Sequence, residues 1–191
     1  MENIFNIYMT GVGGQGIGML SEIIIKAADL AGQTVAGTDT HGLAQRGGMV
    51  ESTLRIGNNV HSPLIMKRTA DLVIALEIHE AYLGTLNYLR EKGTLVYYDV
   101  SLQPLFTRLG MEKEVTEQDI KTLIKSYNSN YLKVFDDSLN DPKMQNIALL
   151  AEINRNTLIP GITEEHYIAA MKMLMNDSVF ERNIKIFCCQ V

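Results

Sequence analysis

Ile4-Phe5-Asn6-Ile7-Tyr8-Met9-Thr10 is an apolar, β-prone run that passes directly into Gly11-Val12-Gly13-Gly14-Gln15-Gly16. The residues that follow, Ile17 to Ala31, carry apolar side chains at Leu20, Ile23, Ile24, Ala27 and Ala28. That spacing is the 3.6-residue period of a helix with one buried stripe, so the segment reads as strand, glycine turn and helix. Gly32 stops the helix at a C′-type position, and Gln33 to Gly37 is expected to form a short second strand.

A polar, Gly-rich stretch runs from Thr38 to Gly48. Met49 to Ile56 then alternates, with Val50, Ser52, Leu54 and Ile56 on one face and Glu51, Thr53 and Arg55 on the other, before Gly57-Asn58-Asn59 turns the chain. This predicts a half-exposed strand in a hairpin. Leu72 to Leu76 is a continuous apolar run of the kind a fully buried strand carries. Glu80 to Leu89 is read as a helix ended by Gly93, and Thr94 to Asp99 as another strand. Thr116-x-x-Asp119 starts a helix reaching about Tyr127, Tyr131 to Phe135 is a strand, Asp141-Pro142 opens a helix, and Thr163 caps one running through Met175.

Strands alternating with helices imply an α/β fold, a single three-layer α/β/α domain over residues 1–191 with a mostly parallel, mixed sheet and a Rossmann-like first βαβ unit. The Met49–Ile56 region is its expected antiparallel exception. The core is placed at about 4–175, with 176–191 a C-terminal helical tail.

Composition narrows the function classes. The chain has 191 residues, 46% apolar and 20% charged, with a net charge of −5, as an ordinary globular domain does. An acidic balance without a Lys or Arg run argues against nucleic acid or an anionic membrane surface as the partner. No stretch approaches the ~18–20 apolar residues of a membrane span, and the start lacks the form of a signal peptide, so a cytoplasmic location is expected. Cys188 and Cys189 are adjacent and cannot staple a fold, which points to a reducing compartment. With no C-x-x-C pair, no iron–sulfur or zinc site is expected on this chain.

Two stretches carry candidate chemistry. Gly11, Gly13, Gly14, Gln15 and Gly16 form a G-x-G-x-x-G turn between a strand and a helix, where backbone N–H groups and the helix N-terminus accept a phosphate or another anion. A tight βα turn needing φ > 0 remains open as the structural alternative. A dinucleotide site also wants an acidic residue about 20 positions on, at the end of the second strand. Asp39 is the candidate, and it is expected to lie past that strand's end.

The second stretch supplies His41, Gln45, Arg46, Gly47 and Gly48 at the carboxyl edge of the sheet. Arg46 suits a carboxylate or phosphate partner, and His41 a ligand or neighbouring subunit. Pairing of Arg46 with Asp39 or Glu51, and a turn-capping His41, are the structural alternatives. Asn146, on the helix after Asp141-Pro142, marks a possible second anion-accepting helix start. His61, His79 and His166 lack ligand spacing, so no metal site is expected. Met171, Met173 and Met175 are expected to pack a helix face or an interface.

Taken together, Gly11-Val-Gly-Gly-Gln-Gly16, His41-Gly-Leu-Ala-Gln-Arg-Gly-Gly48 and Ser62-Pro63 resemble the gamma-type subunit of 2-oxoacid:ferredoxin oxidoreductases, the pyruvate/ketoisovalerate oxidoreductase catalytic-domain family. The H-G-x-x-Q-R-G-G form is closest to its indolepyruvate branch, in the small (beta) subunit. The resemblance covers about Ile4 to Met175, and Asn146 falls where the family places an Asn early in a late helix.

It implies oxidative decarboxylation of a 2-oxoacid to an acyl-CoA, with thiamine diphosphate, Mg and iron–sulfur clusters on partner subunits, CoA as co-substrate and ferredoxin as electron acceptor. This chain would then be inactive alone, with the Gly11–Gly16 turn, His41, Gln45, Arg46, Gly47, Gly48 and Asn146 as contacts to substrate or partner. The competing expectations are a free-standing nucleotide- or flavin-binding oxidoreductase and a non-catalytic phosphate-binding module.

Overall fold

The computed structural model describes residues 4–40, 48–102, 113–139 and 141–188. They form a six-stranded sheet from β1 (Phe5–Val12), β2 (Val35–Thr40), β3 (Met49–Ile56), β4 (Ala70–Ala75), β5 (Leu89–Tyr98) and β6 (Asn130–Val134), in the spatial order β2-β3-β1-β4-β5-β6. The helices are α1 (Ile17–Leu30), α2 (Ile78–Tyr88), α3 (Glu117–Ser126), α4 (Gln145–Arg155), α5 (Glu164–Leu174) and α6 (Asp177–Cys188).

β3 pairs antiparallel with both β1 and β2, while β1/β4, β4/β5 and β5/β6 pair parallel. The Met49–Ile56 strand is therefore the antiparallel exception, and its inward row is the expected one: Ser52, Leu54 and Ile56 are buried. Its hairpin partner is the preceding strand β2. The Gly57-Asn58-Asn59 turn instead leads across to β4, which lies beyond β1. The first βαβ unit is present and its strands run parallel, but β3 is inserted between them.

Side-chain alternation on β1 separates two cores. Ile7 and Met9 face one side and pack with the α1 stripe Leu20, Ile23, Ile24 and Ala27 and with α4, α5 and α6. Tyr8 faces the other, packing with Val73, Leu95 and Tyr97 of the sheet beneath α2 and α3. Both faces of the parallel strands are thus covered, which is why β4 and β5 read as near-continuous apolar runs.

α1 ends in a Schellman arrangement, with Gly32 at φ 72°, its N–H donating to Asp29 O and the Gln33 N–H to Ala28 O. Thr116 and Asp119 form the expected capping box of α3.

Several boundaries differ from those expected, among them the start of β5, which lies at Leu89 rather than Thr94. β2 extends to Thr40, because pairing with β3 continues through Asp39↔Ser52 and Thr40↔Glu51. Asp39 is consequently inside the strand rather than past its end. α2 begins at Ile78 and ends at Tyr88, so Gly93 does not terminate it. Gly93 lies within β5, where a Cβ would come to 2.7 Å from the Leu89 side chain and 3.1 Å from Asp71 O, so a close chain approach explains this glycine.

Candidate functional site

β1 sends α1 to one face of the sheet and its parallel neighbour β4 sends α2 to the other. The connections therefore part above β1 and β4, and open α/β sheets bind ligands in the crevice formed at such a point. The glycine turn sits there. Its backbone is held from both sides: the Gly13 N–H donates to Gly48 O at 2.8 Å, and Leu76 N–H donates to Thr10 O at 3.0 Å.

Gln15 is 4% exposed, and its side chain is used internally: Oε1 accepts the Val12 N–H at 2.7 Å and Nε2 donates to Leu76 O at 2.6 Å. Gly14 and Gly16 have φ of 105° and 87°, so the turn needs glycine for its backbone. Part of the same turn, Val12, Gly13, Gly14 and Gly16, also lines a cavity.

That cavity, of about 1160 Å³, opens between the glycine turn, the start of α4 and the first half of α6. Val12, Gly13, Gly14 and Gly16 form one wall, Lys143, Asn146 and Ile147 a second, and Met175, Val179 and Arg182 a third. α1 enters it with neither a side-chain cap nor an acidic residue in its first turn. By contrast, α2, α3 and α6 receive side-chain acceptors on early amides from Glu77, Thr116 and Asn176. An uncapped helix N-terminus carries partial positive charge toward the cavity, and Lys143 and Arg182 add full charges at its rim. Asp141, also in the lining, accepts the Lys143 N–H at 3.0 Å and so caps the 3₁₀ turn leading into α4.

Of the residues singled out in the sequence, Gly13, Gly14, Gly16 and Asn146 meet in this lining. Asn146 Nδ2 donates to Gly16 O at 3.1 Å across 130 positions of sequence. Gly11 lies beneath the turn, where a Cβ would press on Gln15, Leu76 and Ile17. Gly48 braces the turn. His41, Gln45, Arg46 and Gly47 lie outside the described residues, as does the side chain of Asp39. The backbone of Asp39 is nevertheless placed on the outermost strand, two strand spacings from β1, or roughly 10 Å. A dinucleotide-binding sheet has its second strand next to the first, so the ribose-binding position of that motif is displaced here.

On the opposite face, a polar cluster that the sequence reading passed over lies against β1. Glu77, 1% exposed, accepts the N–H groups of His79 and Glu80, at 2.7 and 2.9 Å, and contacts His79 Nδ1 at 2.6 Å. His79 Nε2 accepts the Val115 N–H at 3.3 Å, so its proton is on Nδ1 and is donated to Glu77. The Thr10 hydroxyl donates to Glu80 Oε2 at 3.0 Å, and the Tyr8 hydroxyl donates to the Glu51 carboxylate. Burial, opposed by the Thr10 hydrogen bond and aided by Glu77 and Glu51, raises the Glu80 carboxyl above its ordinary range. Burial, and then Glu51, raises the Tyr8 phenol. The signal for this cluster was an acid directly before a helix with His two positions on.

His166 joins Thr163 at the start of α5, and Met171 is buried while Met173 is 64% exposed. Among the described residues, no group of three or more His, Cys, Asp or Glu side chains is arranged to hold a metal ion, and no helix is long and apolar enough to cross a membrane.

Residues 6–189 match the family model of pyruvate ferredoxin/flavodoxin oxidoreductase. The chain belongs to that family. It is 28% identical over 189 residues to the indolepyruvate oxidoreductase subunit IorB of Pyrococcus horikoshii, covering 96% of this chain and 92% of that one. The fold is shared with the pyruvate oxidoreductase subunit PORC of Thermotoga maritima, at 21% identity and a TM-score of 0.66, covering 97% of this chain and 93% of that one. It is also shared with the 2-oxoglutarate:ferredoxin oxidoreductase of Magnetococcus marinus, at 17% identity and a TM-score of 0.62. That match covers 98% of this chain but 30% of the other, so there the same fold is one part of a longer polypeptide.

Proposed function

We propose that this chain is the gamma-type, IorB-like subunit of a cytoplasmic 2-oxoacid:ferredoxin oxidoreductase, and that it works within a complex whose larger subunits carry thiamine diphosphate, Mg and the iron–sulfur clusters. The observation that carries this reading is the family match over nearly the whole chain. The donor set supports the division of labour, since two adjacent cysteines fall short of the four thiolates an iron–sulfur cluster takes. The electrons of the 2-oxoacid pass to ferredoxin through the partners.

This subunit contributes binding rather than redox chemistry. The cavity at the glycine turn, with the α1 N-terminus, Lys143 and Arg182, seats an anionic part of the 2-oxoacid or of coenzyme A, and His41, Gln45 and Arg46 are assigned as further contacts on the strength of the family resemblance.

Reconstitution tests the proposal. The larger subunits are assayed for 2-oxoacid- and CoA-dependent ferredoxin reduction with and without this chain, and with its Arg46→Ala variant. Activity that depends on the chain, together with a loss of at least about tenfold in kcat/KM for the variant, is the expected result. Full activity without the chain contradicts the subunit reading, and an unchanged variant removes Arg46 from the site.

A further inference from the structure

Asn146 stands where the walls of the cavity meet, on the first turn of α4 and against the start of α1. It is 3% exposed. Its Nδ2 is committed to Gly16 O, and the fit is close enough that a Cβ on Gly16 would come to 2.6 Å from that nitrogen. Its Oδ1 is buried and has no hydrogen-bond partner among the described residues. A buried carboxamide oxygen without a donor is costly and rare in folded proteins. A strut for Gly16 needs only the donor half of the side chain, so bracing the turn leaves the acceptor half without a role. The surroundings are otherwise suited to an anion through Lys143, Arg182 and the uncapped α1 N-terminus, with Met175, Val179 and Ile147 as an apolar wall.

We propose that Asn146 reads the ligand of this cavity: Nδ2 fixes the glycine turn while Oδ1 accepts a hydrogen bond from the bound molecule. The cavity then takes an organic anion that carries an N–H or O–H donor near its anionic group, with an apolar portion against α6. A bare anion such as sulfate meets the cations and leaves Oδ1 unpaired. The inference rests on the subunit reading and adds the group by which the site discriminates.

The test uses the reconstituted complex with wild-type, Asn146→Leu and Asn146→Asp chains, with KM for the 2-oxoacid and for coenzyme A measured separately. Both variants lose the bond to Gly16 O. The leucine variant also loses the acceptor, and the aspartate variant places a negative charge beside the ligand. The expected result is a rise of about tenfold in KM for coenzyme A, which carries hydroxyl and amide donors, for Asn146→Leu and a larger rise for Asn146→Asp, with KM for the 2-oxoacid, which has only acceptors at its anionic end, held. Equal KM values across all three chains, or both KM values and kcat shifted alike in the two variants, overturn the proposal and leave Asn146 a strut.

A measurement on the wild-type chain keeps the question decidable if the variants do not fold. Coenzyme A raises its Tm beyond the shift given by sulfate at matched ionic strength if the proposal holds, and no further than sulfate if it fails. Failure of the subunit reading is separate and visible as a wild-type chain that adds no activity to the larger subunits.

Discussion

Gln15 and Leu76 are joined across 61 positions of sequence by the Gln15 Nε2 donor, 2.6 Å from the Leu76 carbonyl oxygen, while Gln15 Oε1 holds the Val12 N–H of its own turn. One carboxamide thus locks the glycine turn after β1 to the end of β4, where the cavity begins. Gln15→Leu leaves a buried N–H and a buried C=O unpaired, and a loss of ~2–4 kcal/mol in unfolding free energy is expected from denaturant titration. Gln15→Glu keeps the acceptor but sets a second oxygen against Leu76 O. Its stability is expected to fall as pH rises and the carboxyl ionises, a dependence that Gln15→Leu lacks. A stability within the error of wild type for both variants contradicts the latch.

Gly16 has a left-handed backbone and no room for a methyl group, since a Cβ there would come to 2.6 Å from Asn146 Nδ2. Gly16→Ala is expected to cost roughly 2–3 kcal/mol, part from φ and part from displacing Asn146. Gly14, with a similarly positive φ but nothing within 4 Å of its would-be Cβ, provides the comparison. Gly14→Ala is expected to cost the backbone strain alone, and thermal unfolding of the two variants separates the terms.

Glu80 gives a pH prediction. Its carboxyl is raised chiefly by burial, so the folded state favours the protonated form. The contribution to stability is complete below the ordinary Glu pKa and is lost as pH rises through the raised value. Glu80→Gln removes that loss. The Tm advantage of the variant over wild type is expected to be larger at about pH 8 than at about pH 4. An advantage of the same size at both pH values contradicts the assignment.

Phe187 is the anchor of the terminal helix, 3% exposed with its ring 6.0 Å from that of Tyr167. Phe187→Ala is expected to lower stability by ~3–5 kcal/mol if α6 unfolds together with the rest of the chain. Because Val179 and Arg182 wall the cavity, the same variant in the complex is expected to raise KM for the ligand seated there. A stability loss with unchanged KM removes α6 from the site.

Much of this was legible because it is local. The strand–glycine–helix order, the Schellman stop at Gly32, the alternation of β3 and the caps at Thr116 and Thr163 each depend on residues a few positions apart. Long-range pairing was not legible. Nothing near Met49 says that β3 slides between β1 and β2, and that insertion is what moves Asp39 away from the glycine turn. The fate of Gln15 was hidden for the same reason: its second partner, Leu76, is brought to it by strand pairing. Gly93 follows the expected helix closely enough to read as its stop, yet its reason is the approach of Asp71 on β4. The expected tail carried no motif, and the part that α6 plays in the cavity comes from its packing against α4. The glycines of the first turn were singled out by spacing, and Asn146 by its place after Asp141-Pro142 and by the family resemblance; Asn146 meets Gly16 in the folded chain.

Every functional role proposed for this chain depends on its being one subunit of a larger oxidoreductase. The most direct measurement is to tag it in its own cell, recover it gently without oxygen, and identify the accompanying proteins by mass spectrometry. The expected result is recovery with a larger chain that binds thiamine diphosphate and iron–sulfur clusters, in constant ratio through a second purification step. Recovery of the chain alone, or with unrelated proteins in varying amounts, contradicts the subunit reading.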